Sequence, residues 1–323
     1  MKQTANHSAF LLQRSNTGFA LIELMIAMTL GLVLIGAATG IMLSNTQSFR
    51  SNKSLAQIQD SARLGFELMA RDIRQAGSIP CGNDINLTNI VIDNPWYLDW
   101  PAGSKGQLIG YAGTSITTPS GLTNRVAGTE ALSILYVDNV GSSVELTAAG
   151  THIYTLNKVN NNFKSDDVVV VCDAKNGTLF KAKVENKSSK MTVAAASQFN
   201  SSTLPGIFEK HSVMGKLKSR AWYIGTNQQG GRSLYLAELN GSKLDIIEIA
   251  AGVSDLKLLY RLNDTADFKT TAEINDHWPQ VNAIEVSLEL LGQEQNVSTN
   301  HNTDSGRFKR SFTSIVALRN RIL

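Results

Sequence analysis

The chain has 323 residues, 42% of them hydrophobic and 18% charged, with 30 Lys plus Arg against 27 Asp plus Glu. A balance this near neutral gives no reason to look for a nucleic-acid binder or an enzyme acting on acidic substrates. The length exceeds what one small core needs, and the only two cysteines, Cys81 and Cys172, have no His or second Cys near either, which argues against a zinc site.

The first eighteen residues carry Lys2 and Arg14 and no acidic residue. The stretch Arg14-Ser15-Asn16-Thr17-Gly18-Phe19-Ala20-Leu21-Ile22-Glu23 then opens a long apolar run. Residues 19–43 make a segment of 25 residues. As a helix it is roughly 37 Å long, enough to cross ~30 Å of hydrocarbon with some tilt. Positive charge stays on the cytoplasmic side, so the amino terminus is expected inside and the bulk of the chain exported. From residue 24 to residue 49 there is no charge at all, which leaves Glu23 as the one exception to an apolar helix. A carboxylate in lipid costs roughly 2.5–3.5 kcal/mol at a helix centre and less near an end, so Glu23 is a functional candidate that needs a partner.

Gly18-Phe19 with Glu23 four residues on, at the mouth of an apolar helix, resembles the type III signal of type IV pilins and pseudopilins. The resemblance implies that residues 1–18 are a leader, that a prepilin peptidase cuts between Gly18 and Phe19, and that the new terminus on Phe19 is N-methylated. It further implies that Glu23 meets the terminal amine of a neighbouring subunit during assembly. A charge pair formed in lipid favours one register between subunits over every other. Loss of the leader takes two basic residues from 30, leaving 28 against 27 acidic, a net of +1. Two plainer readings compete. One is an ordinary secretory signal with residues 24–35 as its apolar region and a cut after Ala38, which leaves Glu23 as an awkward charge. The other is an uncut membrane anchor.

Past the membrane the helix is expected to continue. Leu55, Ile58, Ala62, Phe66, Met69, Ile73 and Ala76 recur at spacings of three and four and share one face, while Lys53, Asp60, Arg63, Glu67, Arg71 and Arg74 fall mostly elsewhere. Gly77 and Pro80 supply a stop. The expected helix is therefore 19–76, transmembrane over 19–43, with its second half packed on the chain's own sheet. Residues 78–129, rich in Gly, Asn, Thr, Ser and Pro, read as a loop-rich insertion in which Trp96, Tyr97 and Trp100 cover a small local core. Strand signals follow at 131–137, 167–172, 178–184, 220–224, 233–239, 244–249, 256–262, 283–290 and 308–318. Gly230-Gly231 and Asn240-Gly241 mark turns between them. No second long helical period appears, so the expected class is α+β, a pilin-like long helix on a mostly antiparallel β head spanning 77–323.

In an exported, oxidising compartment the two cysteines read as one disulfide, Cys81–Cys172, with two free buried thiols as the other reading. The run from Ser61 to Gly77, the string Ala221-Trp222-Tyr223-Ile224, and the segments 251–260, 278–288 and 312–321 resemble PilW-type minor pilins. Residues 81–214 carry no such likeness and are expected to be the variable part. The resemblance implies a minor pilin that works with other minor pilins and the major pilin to prime assembly. It places the chain in the inner membrane of a Gram-negative cell, head in the periplasm, and afterwards at the pilus tip, with a large adhesin as a further partner. A pseudopilin of type II secretion and a secreted binding module are the alternatives.

No catalytic set is visible: His7, His152, His211, His277 and His301 are scattered, no nucleophile elbow or phosphate loop occurs, and no cofactor is expected. Asp264, Asp267, Glu273 and Asp276 lie in an oxygen-rich stretch and are weak calcium candidates. They lack the EF-hand spacing, and a solvated loop is the competing reading. Arg307, Lys309, Arg310, Arg319 and Arg321 form a basic cluster on an alternating strand, read as an exposed face rather than a DNA contact.

Overall fold

A computed structural model describes residues 20–321 apart from 83–84, 93–94, 99, 101–106, 115–118, 149–150, 159–161, 188–189, 196–197, 202–205, 242 and 299–303. The chain divides into two units, Met1–Asn52 and Lys53–Leu323. One helix, α1, runs over Leu21–Gln75. In the first unit it is lined by exposed apolar side chains, with Leu21 78% and Leu32 72% exposed.

In the second unit α1 is amphipathic. Ile58, Ala62, Met69 and Ile73 are buried, as the spacing of three and four requires. Gly77 takes φ 74, a conformation that an L side chain resists, and its N–H donates to Leu135 O at 2.8 Å. The helix ends there.

Fourteen strands follow among the described residues. The first seven are β1 (Asn86–Asn89), β2 (Leu108–Tyr111), β3 (Ala131–Thr147), β4 (Ile153–Leu156), β5 (Val168–Cys172), β6 (Asn176–Lys187) and β7 (Lys190–Ala195). The rest are β8 (Val213–Thr226), β9 (Arg232–Asn240), β10 (Lys243–Ala251), β11 (Val253–Leu262), β12 (Phe268–Lys269), β13 (Val281–Leu291) and β14 (Lys309–Ala317). A four-residue helix α2 (Thr271–Ile274) lies between β12 and β13.

Two sheets hold these strands. The smaller runs β12-β11-β13-β14, antiparallel throughout. In the larger, β3 and β8 pair along most of their length and each serves two structures. Their outer halves join β2, β9 and β10 in an open sheet. Their inner halves close a barrel: β3 pairs with β4, β4 with β7, β7 with β6, β6 with β5, and β5 with β8. With the β3–β8 pair, the ring has six contacts, all antiparallel; among the described residues the one parallel pair is β1 against β6.

The barrel explains the run of valines in β5. Val169 and Val171 face the interior with Tyr154, Phe180 and Met214. Val168, Val170 and Cys172 face outward under Ile79, Leu98 and Trp100 of the segment after α1. Both faces are covered, so no polar alternation is tolerated. The segment after α1 is thus a lid over the barrel wall, and Cys81 is bonded to Cys172 there, Cα atoms 6.0 Å apart.

The second half of α1 occupies the angle between the open sheet and the smaller one. Its apolar stripe shares a core with Leu132, Trp222 and Leu234 of the first and Leu256, Ile284 and Leu288 of the second. A Cβ on Gly65 would sit 3.0 Å from Leu234 and 3.3 Å from Leu288, one contact on each sheet.

The structure departs from the sequence reading in length more than in kind. Residues 78–129 hold two short strands, and the strand expected at 131–137 runs on to Thr147, through Asp138 and Gly141, because it passes from one architecture into the other.

Candidate assembly segment

Glu23 lies in the first turn of α1. Its backbone N–H donates to Ala20 O at 2.9 Å, and its Oε2 accepts from the Ala20 N–H at 3.4 Å, which occupies one of the donors a helix start leaves open. A carboxylate is also favoured at this end of a helix dipole. Beyond it three threonine hydroxyls bond back to the helix. Thr29 Oγ1 donates to Ile26 O at 2.9 Å, Thr46 Oγ1 to Leu43 O at 2.8 Å, and Thr39 Oγ1 to Ile35 O. Each hydroxyl so bonded has its proton satisfied within the helix, as a helix in hydrocarbon favours. This helix is long and apolar enough to cross a membrane, and its most apolar stretch is not buried within the chain.

Residues 13–39 match the family model described as the prokaryotic N-terminal methylation motif. That match and the apolar helix together support a type IV pilin-like or pseudopilin-like protein anchored in a membrane before assembly. The motif implies processing by a prepilin peptidase and association with other pilins, and it points to a structural rather than a catalytic role. Comparison with curated proteins and with solved structures returned no match. Gly18 and Phe19, the expected cleavage and methylation positions, lie outside the described residues, as do His7 and His301.

The other candidate residues do not converge on a site. Among the described residues no group of three or more His, Cys, Asp and Glu is placed to hold a metal ion. Glu273 is committed to capping α2: its Oε2 accepts from Thr270 N at 2.7 Å and from Thr270 Oγ1 at 2.6 Å. His152 Nδ1 lies 2.7 Å from Tyr154 Oη, where burial lowers the imidazole pKa, and His277 Nδ1 rests 3.2 Å from Ile274 O. The basic cluster also breaks up. Lys309 pairs with Glu289 at 2.9 Å, while Arg321 turns inward, donating to Trp278 O at 2.7 Å, Val281 O at 3.2 Å and Gln107 Oε1 at 3.0 Å. Burial pulls the Arg321 guanidinium down to about 10.

One set of residues escaped the sequence reading. Asp72, on the buried face of α1, has no exposed surface; its Oδ1 accepts from Arg220 Nη1 and its Oδ2 from Trp222 Nε1 at 2.9 Å. Arg220 Nη2 reaches Glu238 Oε1 at 3.0 Å, and Lys218 Nζ reaches the same oxygen at 3.1 Å. Burial pushes the Asp72 carboxyl up, and Arg220 and Trp222 draw it partly back. Burial likewise works against the Arg220 charge, but Asp72, Tyr136 and Glu238 outweigh it and hold the guanidinium above its ordinary value. The chain of charges fixes α1 to β8 and β9 at one register. A signal was present in the sequence: Asp72 sits at the spacing of the apolar stripe, three residues past Met69, where a solvated carboxylate does not belong.

Proposed function

We propose that this chain is a minor pilin of the PilW type, made as a prepilin, cut after Gly18 and N-methylated on Phe19. It takes part in priming and building a type IV pilus and stays at or near the tip. The observation that carries this reading is the match over residues 13–39 lying directly before and along a helix whose apolar side chains are exposed around a single acid, Glu23. Such a surface has no partner within its own chain and is suited to lipid first and to the helices of neighbouring subunits afterwards. Glu23 then docks on the terminal amine of the adjoining subunit. The head adds no turnover: its buried charges are spent on holding α1 in place.

Mass spectrometry of the native amino terminus tests the processing. N-methyl-Phe19 is the expected result; a chain beginning at Thr39 or still carrying Met1 overturns it. Glu23→Ala is expected to leave export and cleavage intact and to abolish incorporation into fibres, and normal incorporation overturns the docking role.

A further inference from the structure

Where the β8–β9 turn, the β10–β11 crossover and the start of β14 converge, a groove of about 1020 Å³ opens in the head. Its floor is fixed by bonds that stay within the chain. Asn227 Nδ2 donates to Ser233 Oγ at 2.9 Å, and Ser233 Oγ to Glu248 Oε1 at 2.7 Å. Ser254 Oγ donates to Glu289 Oε1 at 3.0 Å, and Lys309 Nζ pairs with the same carboxylate at 2.9 Å. The wall is equally constrained: Gly252 takes φ 81, and a Cβ there would come 2.7 Å from Leu291 O.

The groove has no net charge, since Arg232, Arg307 and Lys309 face Glu248, Glu289 and Asp304. What it offers is an asymmetry of unspent groups. Glu248 and Glu289 are engaged inside the chain and the Asp304 charge acts on Lys309, whereas each arginine spends little of its donor capacity there. Arg232 places Nη1 on Ser254 O at 3.0 Å, and Arg307 places Nε on Asp304 O at 3.0 Å. A guanidinium carries five N–H donors in a planar fork, and that fork matches a carboxylate with two parallel bonds. Among the described residues no aromatic side chain lines the groove, so it lacks the stacking face that rings prefer there. The groove also continues: Ala251, Leu291 and Gln293 line an adjoining cleft of about 220 Å³ against Gln57, Asp60 and Ser61 of α1.

We propose that this groove receives an acidic segment of an adjoining pilin-type subunit, with Arg232 and Arg307 each clasping an Asp or Glu carboxylate. This rests on the assembly reading above, which brings neighbours together along α1, and names where a neighbour's head would take hold.

The test is a photocrosslinking residue at Gln293 in the full chain, in cells that build fibres. The expected result is an adduct to another chain with a methylated amino terminus, mapped within a few residues of an Asp or Glu. Its yield should fall tenfold or more in Arg232→Glu/Arg307→Glu and less in the double Lys variant, which keeps the charge without the fork. Should the double reversal melt early, Arg232→Gln and Arg307→Gln singly are expected to lower the yield about threefold each. An adduct of undiminished yield in these variants, an adduct to a saccharide, or no adduct at all overturns the inference when Phe19 in the same sample is N-methylated. An unmethylated Phe19 overturns the assembly reading, and the inference with it.

Discussion

Asp72 and Trp222 stand 150 residues apart in the chain, yet the indole N–H of Trp222 donates to the Asp72 carboxylate at 2.9 Å in the sealed interior of the head. With Arg220 on its other oxygen, Asp72 is the polar pin through which the helix and the open sheet are locked. Removing it leaves the arginine buried without its nearer partner. Breaking a buried pair from one side costs about 3–5 kcal/mol, and Glu238 remains on Arg220, so Asp72→Ala is expected near ~3 kcal/mol. Asp72→Asn keeps an oxygen in place and should cost less. Urea unfolding of the full chain in detergent, followed by tryptophan fluorescence, measures both.

Glu238, at the far end of the same network, makes the head sensitive to acid. Burial alone would raise its carboxyl, but the hydrogen bonds and charges of Arg220 and Lys218 outweigh that and hold it below the ordinary glutamate value of 4.5. A folded value below the unfolded one contributes stability that is fully present above about 4.5 and drains away as pH falls through the folded value. Melting temperatures taken from pH 7 downwards should therefore decline more steeply below that point in the native chain than in Glu238→Gln. Parallel curves would remove Glu238 from the acid response.

The Cys81–Cys172 bridge closes a loop of 91 residues and fastens the lid segment to the barrel wall. In the chain-entropy account such a crosslink is worth up to ~4.6 kcal/mol. Cys81→Ser/Cys172→Ser should lower the unfolding midpoint and open the segment around Ile79 and Trp100 to protease before the rest of the head. Cleavage beginning elsewhere, or an unchanged midpoint, would show that the apolar contacts hold the lid without the bond.

Gly110 and Tyr260 form a tighter pairing than either residue suggests alone. A Cβ on Gly110 would lie 2.6 Å from Tyr260 Cζ and 2.9 Å from Trp278 Cη2, and the two aromatic rings meet edge to face with centroids 5.0 Å apart. Tyr260 Oη is buried and, among the described residues, has only a loose contact with the Thr271 side chain in place of a well-formed hydrogen bond. Gly110→Ala should destabilise by about 1–3 kcal/mol through overpacking. Tyr260→Phe, which removes a buried hydroxyl that has no well-formed hydrogen bond, should be close to neutral or stabilising, and combining the two should recover part of the loss. Thermal unfolding of the three variants checks the series.

Much of this was legible in the residues. The apolar helix, its amphipathic continuation, the stop at Gly77 and most strands follow from local periodicity, and Asn240-Gly241 marks the β9–β10 hairpin, in which Asn240 pairs with Lys243. Closure of the barrel was not legible, because it depends on β3 changing partners from β2 to β4 along its length, and pairing between distant strands leaves no mark in a period of two. The spacing of Asp72 marks it as buried but does not name its partners, which lie 148 and 150 residues away. Arg321 was counted with its basic neighbours because charge in a sequence carries no direction, and only the fold turns it towards Trp278.

Two ribbons, β3 and β8, thread both the barrel and the wall against which α1 rests. Natural variation can therefore rework the barrel's outward surface, strand by strand, while the seat of the helix keeps its shape. Drift at one end of each ribbon need not disturb the other, so two separate demands are parcelled out along a single pair of strands.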